Sequence, residues 1–235
     1  MDHAAGTGSD PGTPLEHIGL IGHQDVAVTD RLDHYELFSW DGLLTLLWHH
    51  DRNQPNRSAV LCCGGALGGV LGPADGLFHD LGTRFASDGT AITIRVGYRA
   101  PNDLDRCVFD VLAAAQLAAR HGAERFVVVG HSFGGAVAVQ AGAALGEQCA
   151  GVVTLATQTA GCEVGEQLAE RGVPVLLLHG DLDTILPYHA SHLVHLLTGG
   201  ELHILRGADH RLDAAADELR ERLGEWIPRR LAEHR

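Results

Sequence analysis

Apolar residues along the 235-residue chain fall into short, β-branched runs that are separated by longer amphipathic stretches. A short apolar run is typical of a buried strand, whereas apolar positions that recur every three or four residues predict a helix. The apolar runs predict strands near 58–63, 91–96, 125–130, 151–156, 174–179 and 201–205. The other stretches predict helices near 74–87, 103–121, 134–146, 163–171, 188–197 and 212–232. Strands that alternate with helices indicate a mostly parallel sheet with right-handed crossovers.

The first fifty residues follow a different pattern. Segments 18–28 and 33–49 predict an antiparallel pair of strands, with a turn signal at 41–42. Residues 1–14 are rich in Gly, Ser, Thr and Pro and have no apolar core, so we expect a disordered tail. Residues 15–235 show no repeat and no long linker. We expect them to form one α/β domain, with a central sheet of about eight strands and helices on both faces.

Composition narrows the range of partners and compartments. The 17 Lys and Arg residues against 30 Asp and Glu residues give a net charge of −13, which repels nucleic acid and anionic membranes. No segment approaches the roughly 20 apolar residues that a membrane span needs, and the N-terminus does not resemble a signal peptide. The five cysteines show no zinc or redox spacing, so we expect free thiols and a cytoplasmic location. These features are also compatible with a homo-oligomer.

The sequence GHSFGG at 130–135 is the strongest candidate for chemistry. It follows a valine-rich strand and precedes an alanine-rich helix, which is the context of a nucleophile elbow with the pattern G-x-S-x-G. Gly130 and Gly134 leave room where a Cβ atom would clash, and the turn exposes the hydroxyl of Ser132 above the sheet. The alternative is a glycine-rich turn between strand and helix that carries no chemistry.

A serine nucleophile needs a base and an acid that orients the base, in the chain order serine, acid, histidine. The predicted strand at 174–179 runs into a loop that carries Asp181 and Asp183. The strand at 201–205 runs into a loop that ends at Asp209 and His210. Both loops follow the carboxyl end of a strand, where α/β sheets place their sites.

At this point the chain resembles the α/β hydrolases, in particular the small dienelactone-hydrolase-like and esterase-like members without a lid. The sequence HGDLDTILP at 179–187 resembles the family pattern H-G-x-x-D-x-x-V-P, and GADH at 207–210 resembles G-x-x-H. The resemblance covers about residues 15–233. It implies that Asp183 is the acid and that His210 is the base. Asp181 is then a turn residue.

The glycine-rich segment at 64–69 is the candidate for the oxyanion hole. Acyl transfer needs two N–H donors, one from the residue after the nucleophile, here Phe133, and one from the loop after the third predicted strand, 58–63. We expect Gly65 to give the second donor, with Ala66 and Leu67 as alternatives. The family usually has His-Gly-x where this chain has Cys-Gly-Gly, and a plain surface loop is the competing interpretation.

The short connection at 157–172 has room for one short helix, so we expect an open site without a cap domain. Residues after Arg95, namely Tyr98 and Arg99, could reach the pocket, although a salt bridge or a loop brace is the alternative. Packing is an alternative for every candidate that could contact substrate. These candidates are Ala66, Leu67, Gln158, Leu186 and Tyr188.

Together these features predict a serine hydrolase that cleaves a carboxylic ester, lactone or thioester of a small acyl substrate through an acyl-enzyme on Ser132. One alternative is an acyltransferase or a cyclising thioesterase with the same triad. Another is a lyase-like or ligand-binding role without acyl chemistry, because fold alone does not define function. We expect no cofactor and no metal; the histidines at 189, 192 and 195 share a helix face but lack a further ligand.

Overall fold

A computed structural model of the chain describes residues 12–233. In this part of the chain nine strands form one sheet, in the order β1-β2-β3-β5-β4-β6-β7-β8-β9. The strands are β1 (Leu20–Thr29), β2 (Leu32–Ser39), β3 (Gly42–His49), β4 (Ser58–Cys63), β5 (Ile92–Gly97), β6 (Arg125–His131), β7 (Cys149–Leu155), β8 (Val175–Gly180) and β9 (Glu201–Leu205). The α-helices are α1 (Pro14–His17), α2 (Pro73–Asp88), α3 (Leu104–Arg120), α4 (Phe133–Leu145), α5 (Gly165–Glu170), α6 (His189–Thr198) and α7 (Ala216–Ala232).

The predicted fold class is confirmed. Strands β4 to β9 pair in parallel, while β1, β2 and β3 form an antiparallel meander that joins them through an antiparallel pairing of β3 with β5. The sheet therefore has one strand more than the predicted eight. The additional strand is β2, in which only Asp33 and Leu37 are buried. A strand with so few buried positions shows little alternation of apolar and polar residues, so the sequence pattern did not separate it from β3.

Helices cover both faces of the sheet, as predicted. Helices α3 and α4 pack on one face, where α4 is apolar and buried along almost its whole length. Helices α2 and α7 pack on the other face through Leu77, Phe78, Leu223 and Trp226. The carboxyl ends of the parallel strands all point to one edge, so the loops that follow them are brought together there.

The N-terminal prediction needs one correction. Residues 1–11 of the predicted tail lie outside the described residues, but Pro14 already begins α1. Thr13 caps this helix by accepting a hydrogen bond from the N–H of Glu16, whose side chain bonds back to the Thr13 N–H. Such a capping box followed by proline starts a helix even in a polar segment.

Three further features bear on the predictions. Between β7 and β8 the chain forms only α5, and residues 12–233 contain no cap domain. In the same range no helix combines the length and the apolar character that a membrane span requires. All five cysteines are free and buried.

Candidate active site

Ser132 lies in a sharp turn between β6 and α4. Its backbone has φ 58° and ψ −122°, a conformation that L-residues rarely adopt. A Cβ atom on Gly130 would overlap the carbonyl oxygen of Gly134, and one on Gly134 would overlap the carbonyl oxygen of Cys63. Both glycines are therefore required by close backbone packing, and the predicted elbow geometry is present.

The side chains of Ser132, His210 and Asp183 form a continuous hydrogen-bonded chain. The Oγ of Ser132 lies 3.0 Å from Nε2 of His210, and Nδ1 of His210 lies 2.7 Å from Oδ2 of Asp183. A carboxylate only accepts, so Nδ1 carries the proton and the neutral Nε2 accepts from the serine hydroxyl. This is the arrangement that allows His210 to remove the serine proton.

Asp183 is held as an anion although its side chain is completely buried. Burial raises the pKa of Asp183, but hydrogen bonds from the Leu186 N–H, from His210 and from the Ile185 N–H outweigh it and lower the pKa below its usual value. The two N–H groups each donate to Oδ1 at 2.8 Å. Oδ2 stays available for the histidine, so the carboxylate is both charged and fixed in direction.

The rival carboxylates make contacts with the backbone. Oδ1 of Asp181 accepts the N–H of Gly207 at 2.7 Å and so ties the loop after β8 to the loop after β9. Oδ1 of Asp209 accepts the N–H groups of Arg211 and Leu212. Both contacts are typical of Asp residues in turns. We call residues 180–187 and 206–212 together the acid–base corner.

His179 contributes to this corner, although the sequence analysis gave it no role. Its Nε2 lies 3.1 Å from Oδ2 of Asp183 and 2.8 Å from the carbonyl oxygen of Leu186. Its Nδ1 lies 2.6 Å from Oγ of Ser191. Both partners of Nε2 are acceptors, so Nε2 donates and Nδ1 accepts the hydroxyl of Ser191. The signal was available in the sequence, because His179 begins the HGDLD segment.

Residues 64–72, the glycine loop, lie on the other side of the serine. Phe133 is the first residue of α4, so its N–H has no partner within the helix. Gly65 lies next to the nucleophile, since a Cβ atom built on it would be 3.7 Å from the Cβ of Ser132. Ala66 packs against the core, whereas Leu67 is fully exposed. This placement is compatible with the predicted donors, whose role stays a prediction.

The glycine loop is braced from β5 and the residue that follows it. The hydroxyl of Tyr98 donates to the carbonyl oxygen of Gly64 at 3.3 Å, and Nη1 of Arg95 donates to the carbonyl oxygen of Val70 at 3.2 Å. Arg99 instead forms a buried ion pair with Asp110. The structure thus favours the brace and salt-bridge interpretation of this segment over a position in the pocket.

A cleft opens between the glycine loop and the acid–base corner. It consists of two adjoining cavities of about 550 Å³ and 390 Å³, which share Leu71, Gly72 and His131 as lining residues. We call it the His131 cleft. The five predicted contact residues line neither of these cavities. Their roles as substrate contacts stay predictions.

Three of those five residues make contacts within the protein. The Gln158 side chain donates to the carbonyl oxygen of Ala160 at 2.8 Å. The backbone of Leu186 bonds Asp183 and His179, and the ring of Tyr188 stacks on His189 with centroids 4.3 Å apart. In residues 12–233 no group of three or more His, Cys, Asp or Glu side chains is placed to hold a metal ion.

Comparison with known proteins gives one family match and many similar folds. Residues 106–217, which include the serine, the acid and the histidine, match the model of a family described as phospholipase/carboxylesterase. A search of curated proteins gave no match.

Several solved structures share the fold. Est1E from Butyrivibrio proteoclasticus is 16% identical, with a TM-score of 0.72 over 85% of this chain and 99% of that one. A protein of unknown function from Agrobacterium tumefaciens is 20% identical, with a TM-score of 0.68 over 84% and 96%. An α/β serine hydrolase homologue from Coxiella burnetii is 18% identical, with a TM-score of 0.66 over 85% and 97%. The chain therefore has the α/β-hydrolase fold, and residues 106–217 are similar to the phospholipase/carboxylesterase family.

Proposed function

We propose that this protein is a serine hydrolase that cleaves a carboxylic ester, lactone or thioester. The observation that carries the proposal is the hydrogen-bonded chain from Ser132 through His210 to Asp183, with distances of 3.0 Å and 2.7 Å, at the tip of a strained elbow. A strained conformation at a reactive side chain is typical of functional sites. The phospholipase/carboxylesterase family match supports an ester as the substrate class.

The residues account for each step of acyl transfer. Ser132 Oγ attacks the carbonyl carbon while Nε2 of His210 takes its proton, and Asp183 stabilises the imidazolium that forms. In this mechanism the N–H groups of Phe133 and Gly65 receive the oxyanion. His210 then gives the proton to the leaving group, which departs with the bonding electrons. Water, deprotonated by His210, hydrolyses the acyl-enzyme and restores the serine hydroxyl.

A fluorophosphonate probe tests the proposal directly, because it labels only an activated serine. Intact-mass measurement should show one adduct on the wild type and none on Ser132→Ala or His210→Ala. Ser87→Ala is the matched control, since Ser87 is exposed on α2 and should leave labelling unchanged. On the best ester substrate, loss of Ser132 or His210 should lower kcat by about 10⁴ to 10⁶.

Two outcomes would contradict the proposal. A wild type that takes no adduct has no activated serine, and the lyase-like or ligand-binding alternative would then lead. An adduct that persists on Ser132→Ala would place the nucleophile elsewhere. Product analysis with added amines, thiols and alcohols separates hydrolysis from acyl transfer, because a transferase gives the new ester, thioester or amide in place of the free acid.

A further inference from the structure

His131 precedes the nucleophile, and its ring is fixed by one hydrogen bond. Its Nε2 lies 2.9 Å from the backbone carbonyl oxygen of His210. A carbonyl oxygen only accepts, so Nε2 carries the hydrogen and donates it. In a neutral imidazole the other nitrogen, Nδ1, then has a free lone pair and is a hydrogen-bond acceptor.

The ring stays neutral at physiological pH. Burial lowers the pKa of His131 to about 4, and the nearby His210 adds to the lowering. The hydrogen bond to the His210 carbonyl and the charge of Asp183 act in the opposite direction but do not outweigh burial. His179 also lies near enough to disfavour a second positive charge. Nδ1 of His131 is therefore an acceptor at neutral pH.

Nδ1 faces the region where substrate would bind. A Cβ atom built on Gly65 would lie 3.8 Å from Nδ1 of His131 and 3.7 Å from the Cβ of Ser132, so all three groups border the same space. His131 also lines both cavities of the His131 cleft. Within residues 12–233 no group donates a hydrogen bond to this nitrogen. An acceptor at a cleft next to a nucleophile is available to a donor on the substrate.

One lining residue of the larger cavity carries a further unpaired acceptor. Asp213 lines it, and Oδ2 of this residue pairs with Nε of Arg211 at 3.0 Å. Oδ1 of Asp213 is buried and has no hydrogen-bond partner among the described residues. Arg211 and Asp213 are the first and third residues after His210, which must return a proton to the leaving group. This closeness to the base is the reason for assigning the alcohol part of an ester to this cavity.

We propose that the His131 cleft binds a hydroxyl group on the alcohol part of the substrate, with Nδ1 of His131 as the acceptor. This inference rests on the proposed function and deepens it, because it defines the substrate class as esters of hydroxylated alcohols. A buried polar group that is built to pair with a hydroxyl discriminates against analogues that lack one, since the protein group is then left unpaired.

A pair of esters tests this. The 2-hydroxyethyl and 2-methoxyethyl esters of butanoate differ in the donor hydrogen, while both keep an oxygen at the same position. Wild type should show a kcat/KM about threefold to tenfold higher for the hydroxyl ester, the range expected for one neutral hydrogen bond. Acid release measured by pH-stat gives both values without a chromophore.

Two variants assign the preference to His131. His131→Leu removes the acceptor and also the bond that braces His210, whereas His131→Gln keeps an amide donor for the carbonyl and an oxygen for the cleft. Loss of the brace slows both esters equally, so the readout is the ratio of the two kcat/KM values. That ratio should fall to about one in His131→Leu and should be retained in part in His131→Gln.

The outcomes separate this inference from the proposed function. Equal rates for both esters in the wild type would overturn the hydroxyl subsite while the hydrolase stands. A hydroxyl preference that persists unchanged in His131→Leu would move the subsite away from His131. A wild type that hydrolyses neither ester and takes no fluorophosphonate label would overturn both.

Discussion

The two sides of Ser132 are held in place by opposite means. In the acid–base corner, side chains form the structure: the carboxylate of Asp183 accepts two N–H groups and contacts two histidines, and Asp181 ties the two loops together. The glycine loop instead depends on small residues, because its backbone packs directly on neighbouring backbone. Gly64 has its Cα so close to the carbonyl oxygen of Gly69 that no Cβ atom would fit.

This difference determines which kind of substitution should damage each side of the site. The corner depends on which polar groups are present, so a change of chemistry without a change of volume should damage it. The glycine loop depends on close approach of backbone to backbone, so the addition of a single Cβ atom should damage it.

The largest effect should come from Asp183→Asn. The amide keeps the volume but presents a donor to His210, which favours the wrong tautomer, so kcat on the best ester should fall about 10⁴-fold. Asp181→Asn is the matched control, because its side-chain oxygen can still accept the N–H of Gly207, and kcat should stay close to wild type. A larger loss in Asp181→Asn than in Asp183→Asn would reverse the assignment of the acid.

The next largest effect on kcat should distinguish two adjacent glycines. Gly64→Ala forces the loop away from Gly69 and displaces the N–H that follows it, so kcat should fall about 10²- to 10³-fold, as for the loss of one oxyanion donor. In Gly65→Ala the new Cβ makes only ordinary contacts at 3.7 Å or more, and the N–H is retained. This variant should keep most of its activity. Rates of fluorophosphonate labelling and thermal melting separate loss of the donor from loss of the fold.

The contrast also marks how far the sequence could predict the structure. The acid–base corner follows from short motifs, since HGDLD and GADH each place their polar residues directly after a strand. The glycine loop was located by its composition, but its braces were not predicted. Tyr98 and Arg95 reach it because β5 pairs with β4, a contact between segments that are distant in sequence.

The cleft was beyond sequence reasoning for a related reason. Helix α2 was predicted to begin at residue 74, yet Ala74, Asp75 and Gly76 adopt left-handed backbone conformations. Asp75 and Gly76 tolerate this conformation, but Ala74 does not favour it, so local preference alone predicts a regular helix. The N–H of Ala74 is instead held by the carbonyl oxygen of Arg211, a long-range contact that shapes one wall of the cleft.

A smaller effect should come from His179, which positions Asp183 without touching substrate. His179→Leu removes the donor to a charged carboxylate and should lower kcat about tenfold to a hundredfold. His179→Gln keeps a donor at that position and should recover part of the loss. Ser191→Ala removes only the neutral bond to Nδ1 and should cost about threefold. A uniform loss in all three variants would point to packing and not to the hydrogen bonds.

The smallest effect concerns stability as a function of pH. Burial lowers the pKa of His131 from 6.5 to about 4 and also lowers the pKa of His179. On β3, next to helix α2, burial lowers the pKa of His49 to about 3. In the unfolded chain these rings take up protons below pH 6.5, whereas in the folded chain they stay neutral. Their contribution to stability is therefore complete above pH 6.5 and is lost as the pH falls towards 4.

The free energy of unfolding from urea titrations should consequently decrease between pH 7 and pH 5, by up to about 1.4 kcal/mol per pH unit for each such histidine. Asp183 does not contribute in this range, because its lowered pKa acts only below 3.8. His131→Gln removes one titrating ring and should make the slope shallower by one proton at most. An unchanged slope in that variant would mean that the His131 ring takes up its proton at the same pH in the folded and the unfolded chain. Nδ1 would then be protonated below pH 6.5 and could accept a hydroxyl only above it, so the preference for the hydroxyl ester should disappear between pH 7 and pH 5. A preference that persists at pH 5 requires the lowered pKa.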